Sequence, residues 1–215
     1  MNCLSVILGF LFLITGIPNG HTQIKKSIEV EWEMIKDEGN IQVYTRKPKE
    51  AKLKEIRIIA EFKLDIDTLL KVLNNANQYT DWVYKCEESK VVSTVNEEEF
   101  YYYVTSDLPF PASDRDLVVL CRQWIDKDGI VHSQSIAKPR LMPDVKGFIR
   151  IQSYESRWKI TPRADGMVHI DYEALSDPGG SIPAWIVNLA IAAGPLKTMK
   201  QLEKVVSSAE YVLTR

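Results

Sequence analysis

The sequence predicts an α+β domain in which a curved antiparallel sheet packs against one long C-terminal helix. The middle of the chain is a series of strand-like segments joined by short polar turns at residues 96–99, 126–129 and 164–166, and consecutive hairpins of this kind build antiparallel sheets. Helical patterns lie near the two ends and do not alternate with the strands, which favours α+β over α/β. The last segment, residues 181–213, has an apolar stripe that a sheet must cover.

The first part of the chain has the pattern of a short helix, two strands and a second helix. Either Asp65 or Asp67 can cap the second helix, and the asparagine-rich residues 74–77 end it. Hydrophobic spacing predicts these four elements at residues 29–36, 41–45, 53–62 and 65–73.

The central part of the chain is predicted to form most of the sheet. Residues 108–114 are excluded from the sheet interior because the two prolines there cannot donate ladder hydrogen bonds. In the following strand, alternation places Cys121 on the inward face and Arg122 on the face toward solvent. The predicted strands form a meander over residues 84–95, 100–105, 117–125, 130–136, 148–151, 157–161 and 167–174.

The C-terminal segment is predicted to close the domain. Ser181 can serve as N-cap, and Pro183 falls in the first turn, where its missing N–H costs nothing. Gly194 and Pro195 should bend the helix near its middle. A helix this long needs an apolar partner, and the concave face of the sheet is the only candidate. Unless side chains fill the space between helix and sheet completely, we expect a cavity there.

The N-terminal segment predicts export. The first 24 residues contain no Lys, Arg, Asp or Glu, and most of residues 4–17 are apolar. This run is too short to span a bilayer comfortably but is typical of a signal-peptide core. We therefore expect a signal peptide over residues 1–23, one domain over residues 24–215, and a secreted or periplasmic protein. The alternatives are an uncleaved membrane anchor and a buried N-terminal segment.

The composition excludes several classes of function. The chain has 27 basic and 29 acidic residues and a formal net charge of −2, so we expect no nucleic-acid partner, which would need a positive excess. Beyond the signal peptide the cysteines are Cys86 and Cys121, expected to be buried free thiols, with one disulfide as the alternative. The histidines there are His132 and His169, and no metal, cofactor or nucleophile motif occurs. We therefore predict no cofactor, no metal and no catalytic residue.

Four segments resemble the START lipid-transfer domain family. Residues 109–116 read Pro-Phe-Pro-Ala-Ser-Asp-Arg-Asp, which resembles that family's Pro-aromatic-Pro-x-x-x-Arg-Asp signature. Residues 177–188 resemble the opening of its C-terminal helix, residues 38–44 its first hairpin, and residues 79–82 its short helix ending in Trp. The matches fall in the family's order, and the resemblance covers about residues 28 to 213.

The resemblance implies a helix-grip fold with an internal tunnel for one lipid or other hydrophobic ligand, which the protein would transfer between membranes or sense. We expect a monomer. The apolar side chains of the 108–114 loop make transient membrane contact an expectation, with packing on the terminal helix as the alternative. The gate of the tunnel would be formed by this loop and the C-terminal helix, with the gate residues Leu108, Phe110, Gly194 and Pro195.

Candidate ligand contacts follow from the strand faces, the aromatic clusters and the helix stripe. Arg115 and Asp116 point to opposite faces of a strand, so we expect them to hold the gate loop or a strand end. Tyrosines are included because a buried hydroxyl needs a partner, which a ligand could supply. The predicted lipid-binding residues are Tyr79, Trp82, Tyr101, Tyr103, Leu117, Val119, Cys121, Trp185, Leu189 and Leu196.

Three positions depart from the family's phospholipid-binding pattern. The resemblance implies that phosphatidylcholine-binding members carry Arg and Asp around the Trp of the short helix, where this chain has Tyr79 and Val83. Sterol- and phospholipid-binding members tend to carry an Arg on the strand after Arg-Asp, where this chain has Cys121. A phosphate buried without a cationic partner is costly. We therefore hypothesise a less polar ligand, such as a sterol-like molecule, a free fatty acid or an isoprenoid.

Two other functions stay open from the sequence. One is a helix-grip enzyme of the cyclase or hydrolase kind that acts on a hydrophobic substrate, with a histidine or the carboxylates of Asp171 and Glu173 as acid and base. The other is a ligand sensor that never moves lipid. A deep apolar cavity without a convergent acid–base pair would favour a carrier over an enzyme.

Overall fold

The computed structural model of the protein describes residues 31–47 and 54–208. The predicted signal peptide and the predicted last residues of the terminal helix, 209–213, lie outside this range. Within the described residues the chain forms ten strands, two α-helices and one 3₁₀ helix. The strands are β1 (Glu33–Asp37), β2 (Ile41–Arg46), β3 (Glu55–Lys63), β4 (Cys86–Thr94), β5 (Glu99–Ser106), β6 (Asp114–Ile125), β7 (Val131–Ala137), β8 (Phe148–Arg150), β9 (Ser153–Pro162) and β10 (Met167–Asp177). The helices are α1 (Ile66–Asn74), the 3₁₀ helix (Ala76–Asp81) and α2 (Ala184–Val206).

Nine of the strands form one continuous antiparallel sheet in the order β1-β2-β3-β10-β9-β7-β6-β5-β4. This confirms the predicted α+β architecture. The short strand β8 departs from the predicted meander, because it pairs with the start of β6 in parallel, with Asp116 opposite Arg150. The loop of residues 107–113 separates β5 from β6, as its prolines require.

The prediction of a helix over residues 29–36 is wrong, because the described part of that segment contains strand β1. Glu33 pairs with Thr45 of β2, and the register continues to Asp37 opposite Gln42. Just before β1, the ring of Trp32 lies 4.3 Å from the guanidinium of Arg46, which is a residue of β2. Pairing with β2 therefore outweighs a local helical pattern that is only eight residues long.

Helix α1 begins at the predicted cap. Of the two candidates, Asp65 is the N-cap, and its carboxylate accepts hydrogen bonds at 2.7 Å from both the backbone N–H and the hydroxyl of Thr68. Leu69 and Val72 are fully buried in the core. The helix ends at Asn74, where the asparagine cluster leads into the 3₁₀ helix.

Helix α2 lies against the strands and helix α1, with contacts to β2 and β3. Its N-cap is Pro183 and not Ser181, because the first helical residue is Ala184. Pro195 lies inside the helix, and a bend there stays a prediction. At 23 residues the helix is about 34 Å long. Its buried side chains, which complete the core, are Ile186, Leu196, Met199, Leu202 and Val206.

Candidate functional site

A cavity of about 510 Å³ lies between helix α2, the 3₁₀ helix and the sheet. This volume falls within the roughly 300–1,000 Å³ that is typical of small-molecule pockets. Most of its lining is aliphatic or aromatic. The residues that α2 contributes are Ile186, Ala190, Gly194, Pro195, Thr198 and Met199.

Two neighbouring rows of the sheet form the cavity wall opposite α2. In the first row, Cys121 of β6 lies opposite Ser135 of β7, which lies opposite Ser156 of β9. Ala174 of β10 and Ile56 of β3 extend this row across five strands. The second row lies two residues away along the strands and consists of Ser133, Trp158, Tyr172 and Ile58. All nine residues line the cavity.

Seven of the residues predicted for the ligand site or its gate line this cavity. Strand β6 presents Leu117 and Cys121, as its predicted inward face requires, and Arg122 on the opposite face is exposed. The other five come from the 3₁₀ segment, the loop before β6 and helix α2, and they are Tyr79, Trp82, Leu108, Gly194 and Pro195.

On β5 the cavity-facing tyrosine is Tyr102, not the predicted Tyr101 or Tyr103. Alternation along the strand explains this, because Tyr102, Val104 and Ser106 share the face that lines the cavity. Tyr101 lies on the opposite face, in a groove beside Lys138. Tyr103 is buried on that face as well, with the ammonium of Lys90 lying 5.1 Å from its ring. The sequence shows that Tyr101 and Tyr103 share one face of the strand and that Tyr102 lies on the other. Only the pairing of β5 with its neighbouring strands determines which face points into the cavity.

Four further predicted residues, Val119, Leu196, Trp185 and Phe110, do not line the cavity. Val119 and Leu196 are buried in the hydrophobic core. Trp185, on the first turn of α2, is 52% exposed, and Phe110, in the loop before β6, is 92% exposed. The side chain of Leu189 lies outside the described residues.

Sequence reasoning missed a group of hydroxyl side chains on the central strands. Tyr154 and Tyr172 bring their hydroxyl oxygens within 3.5 Å of each other, and the thiol of Cys121 lies 3.5 Å from the hydroxyl oxygen of Ser133. Ser156 is buried beside them. Cys121, Ser133 and Tyr172 lie on predicted strands, whereas Tyr154 and Ser156 lie in the first part of β9, before the predicted bounds 157–161. Their meeting depends on strand pairing, for which one sequence carries no signal.

The polar groups of the cavity wall are almost all neutral. Among the described lining residues only Lys85 and Asp107 carry formal charges, and these two form an ion pair with each other. Burial raises the pKa of Tyr79, Tyr102 and Tyr172 well above the ordinary value, so these phenols stay protonated. Burial likewise raises the pKa of the Cys121 thiol.

Both cysteines in the described residues are buried free thiols. Burial raises the pKa of Cys86 to about 11. A thiol held in its protonated form is a poor nucleophile and packs as a small apolar group.

Arg115 and Asp116 each hold a different part of the structure. The guanidinium of Arg115 donates hydrogen bonds to the carbonyl oxygens of Pro178 at 2.6 Å and Gly179 at 2.9 Å, and to that of Ser113. It thereby joins the 107–113 loop to the turn that precedes α2. Asp116 faces the other side of β6 and pairs with Arg150.

The two histidines of the described residues lie outside the cavity wall. His132 contacts Asp126 at 2.8 Å, and His169 contacts Glu61 at 2.6 Å. Neither is a lining residue. Within residues 31–47 and 54–208, no group of three or more His, Cys, Asp or Glu side chains could hold a metal ion. No helix in the same part of the chain is both long and apolar enough to cross a membrane.

Comparison with known proteins identifies the family. The START domain family model matches residues 23–210. The uncharacterized protein PA1579 of Pseudomonas aeruginosa is 30% identical over 172 residues, which are 80% of this chain and 85% of that protein. The phosphatidylcholine transfer protein of Bos taurus is 27% identical over 182 residues, covering 80% of this chain and 83% of that protein.

A solved structure shows the same architecture. The STAR-related lipid transfer protein of Xanthomonas axonopodis, a crystal structure of a fragment, superposes with a TM-score of 0.76 at 31% identity. The match covers 82% of this chain and 99% of that one. The architecture described above, a sheet around a C-terminal helix, is that of a START domain. The chain belongs to the START domain family.

The positions that depart from the family's phospholipid-binding pattern are all at the cavity. Tyr79, Val83 and Cys121 line it. The hydroxyl of Tyr79 donates a 2.6 Å hydrogen bond to the carbonyl oxygen of Leu73 and is thereby satisfied within the protein. None of the three side chains offers a positive charge.

Proposed function

We propose that this chain binds one lipid or other hydrophobic molecule in the cavity under α2 and carries it between membranes. The observation that carries this proposal is the apolar cavity of about 510 Å³ in a chain that belongs to a lipid-transfer family. A site of this size, lined by aliphatic and aromatic side chains with few polar groups, suits a hydrophobic small molecule.

The proposed gate consists of the loop of residues 108–114 and the first half of α2. Leu108 and Pro109 of the loop line the cavity together with Ile186 and Pro195 of the helix. Arg115 ties the base of this loop to the turn before α2, so a movement of either would be transmitted to the other. We propose that the loop and the first half of α2 move together, away from the sheet, to admit the ligand.

Phe110 and Trp185 support a membrane-docking role for this gate. Phe110 is 92% exposed next to the cavity-lining Pro109, and Trp185 is 52% exposed next to the cavity-lining Ile186. The free energy falls when large apolar side chains in such positions move from water into a lipid surface. We propose that they contact the membrane while the ligand passes.

The cavity wall favours a carrier over an enzyme. Among its described residues it contains no histidine, and its one carboxylate, Asp107, is paired with Lys85. The carboxylates of Asp171 and Glu173, considered above as an acid–base pair, are not lining residues, and Asp171 is hydrogen-bonded to Arg57 at 2.8 and 2.6 Å. General acid–base catalysis needs a proton-transfer group within reach of the substrate. We therefore propose that the protein does not transform its ligand.

We further propose that residues 1–23 direct export and that the exported chain is monomeric. The charge-free apolar start of the sequence supports export. Mass spectrometry of the protein recovered from the medium or periplasm tests this. An intact mass that corresponds to a chain without the first 23 or so residues is expected, and the uncleaved full-length mass in a membrane fraction contradicts it.

Native mass spectrometry with lipid extraction tests the binding proposal. The purified protein is incubated with vesicles of a total lipid extract, separated from them by gel filtration, and sprayed under non-denaturing conditions. We expect a monomer with one bound lipid, which denaturation releases. A protein that stays empty with every lipid mixture would contradict the proposal.

A further inference from the structure

The cavity contains a buried hydrogen-bond donor without a partner. The indole Nε1–H of Trp82 has no hydrogen-bond acceptor among the described residues. Trp82 is only 4% exposed and lines the cavity. An indole N–H can only donate, and leaving such a donor buried and unpaired costs free energy. An oxygen of a ligand bound in the cavity is a candidate acceptor for this donor.

Trp82 belongs to a chain of aromatic rings that reaches the sheet. Its ring meets that of Tyr79 edge-on, with 5.2 Å between centroids, and Tyr79 meets Tyr102 in the same way at 5.3 Å. Tyr102 projects from β5, whose neighbour β6 carries Cys121. The unpaired donor and the hydroxyl groups of the sheet thus lie on walls of one cavity.

The hydroxyl groups on the sheet keep unused hydrogen-bonding capacity. The 3.5 Å separation of the Tyr154 and Tyr172 oxygens is at the limit of a hydrogen bond, as is that between Cys121 and Ser133. Burial raises the pKa of Tyr154, while hydrogen bonds with Ser156 and Tyr172 lower it by less. These groups are uncharged at neutral pH and can each donate to or accept from a ligand.

The wall offers nothing to a charged head group. Among the described lining residues the one cation, Lys85, is paired with Asp107, and both side chains are substantially exposed. A phosphate or carboxylate farther inside would lose its hydration without gaining a cationic partner, which is strongly unfavourable. A neutral oxygen would lose little hydration free energy, and it would gain hydrogen bonds with Trp82 and with the hydroxyl groups of Tyr154 and Tyr172.

We infer that the ligand is an uncharged lipid with a hydroxyl or ester-carbonyl oxygen, and that Trp82, Tyr154 and Tyr172 hydrogen-bond this polar end inside the cavity. The inference rests on the proposed function, since it concerns the ligand of the same cavity. It narrows the hypothesis drawn from the sequence, because the charge of an ionised fatty acid does not suit this wall, whereas the neutral oxygen of a sterol-like alcohol or an acylglycerol does.

Two lipids with the same acyl chains give the test. Vesicles that contain equal amounts of dioleoylglycerol and dioleoylphosphatidylcholine are incubated with the purified protein, and the lipids bound after gel filtration are quantified by mass spectrometry. We expect dioleoylglycerol to be enriched at least about tenfold over dioleoylphosphatidylcholine, because the phosphate of the latter would be buried without a cationic partner. Enrichment of dioleoylphosphatidylcholine would overturn the inference and leave the proposed function standing. Absence of both lipids, and of every lipid of a total extract, would contradict the proposed function itself.

Substitutions test which side chains hydrogen-bond to the polar end of the ligand. Trp82→Phe keeps an aromatic ring and removes the donor, so dioleoylglycerol retention should fall about fivefold, the equivalent of one net hydrogen bond. The double substitution of Tyr154→Phe and Tyr172→Phe should lower it at least as much. Retention of a hydrocarbon without oxygen, such as squalene, should not change.

The matched control is Trp124→Phe, on the outer surface where Trp124 stacks on His132 at 5.2 Å, and it should retain dioleoylglycerol normally. Thermal unfolding establishes that each variant is folded. Unchanged dioleoylglycerol retention in both folded cavity variants would overturn the assignment.

Discussion

Asp116 and Arg150 form a buried two-point ion pair between β6 and β8, on the face of β6 that points away from the cavity. The Nε–Oδ1 distance is 2.9 Å and the Nη2–Oδ2 distance is 2.7 Å, and the two side chains are 1% and 3% exposed. The remaining donors of Arg150 reach the carbonyl oxygens of Pro139, Met142 and Pro143 at 2.9 to 3.1 Å. Asp116 therefore anchors the arginine that holds residues 139–143 of the loop between β7 and β8.

Replacement of one partner of this pair should be strongly destabilising. Arg150→Met leaves the Asp116 carboxylate buried without a counter-charge, and we expect a loss of about 3–5 kcal/mol in the free energy of unfolding, measured by urea denaturation. The control is Arg122→Met, which breaks a pair between the exposed guanidinium of Arg122 and the half-buried carboxylate of Glu99 and should cost less than about 1 kcal/mol. Equal losses in the two variants would show that the buried pair has no special structural role.

The cap of α1 gives a prediction about pH. Hydrogen bonds from the side chain and backbone of Thr68 lower the pKa of Asp65 below its ordinary value of 3.8. Because the folded-state pKa is the lower one, the stabilisation is complete above about pH 4 and is lost as the pH falls through the folded-state pKa. Asp65→Ala should cost about 1 kcal/mol at pH 7.

A series of urea denaturations of the wild type and Asp65→Ala between pH 2 and pH 7 checks this. The difference in unfolding free energy should shrink as the pH falls below about 4. Asp65→Asn, whose amide oxygen also accepts a capping bond, should lose less than Asp65→Ala at pH 7. A difference that stays constant across the range would mean that the Asp65 charge contributes nothing.

Gly180, in the turn before α2, should not accept a side chain. Its φ is +62°, and an added Cβ would lie 3.1 Å from Cδ1 of Ile149 and 3.4 Å from Nη2 of Arg115. Gly180→Ala should therefore cost more than the roughly 1–2 kcal/mol of a left-handed alanine alone. Gly166→Ala is the matched control, because Gly166 has φ +77° with nothing within 4 Å. If both variants lose the same stability, the packing around Gly180 is not tight.

Phe110 is expected to dominate contact with membranes. Phe110→Asp should lower the fraction of protein that sediments with vesicles several-fold, because a charged carboxylate does not enter the apolar part of a bilayer. Ile125→Asp is the control, since Ile125 is also exposed, at 65%, but does not line the cavity or belong to the gate. An equal effect of both substitutions would indicate non-specific adhesion and not docking through the gate.

Elements with a strong local signal were predictable from the sequence. The two prolines of the 108–114 loop and the alternation around Cys121 depend only on the backbone and on strand periodicity, and both predictions agree with the structure. Strand β1 was missed because its identity depends on pairing with β2, which no local pattern encodes. The N-cap of α2 was assigned two residues early, to Ser181, whereas the helix begins at Ala184 after Pro183.

The candidate site was predictable only in part, for the same reason. Cys121 follows from the alternation of its own strand, and Trp82 and Leu108 follow from the family resemblance. Tyr154 and Ser156 enter the cavity because β9 pairs with both β7 and β10 in one particular register. A shift by one residue would turn them to the outside, and the sequence alone does not fix that register.

Occupancy of the cavity by lipid is tested most directly by filling the cavity. Cys121→Phe would place an aromatic ring in the cavity, whereas Arg122→Phe would place the same ring on the exposed face of the same strand. After incubation of each folded variant with vesicles of a total lipid extract, native mass spectrometry counts the bound lipids. We predict one lipid per chain for the wild type and Arg122→Phe, and a loss of most bound lipid for Cys121→Phe. A Cys121→Phe variant that carries as much lipid as the wild type would contradict the placement of the ligand in this cavity.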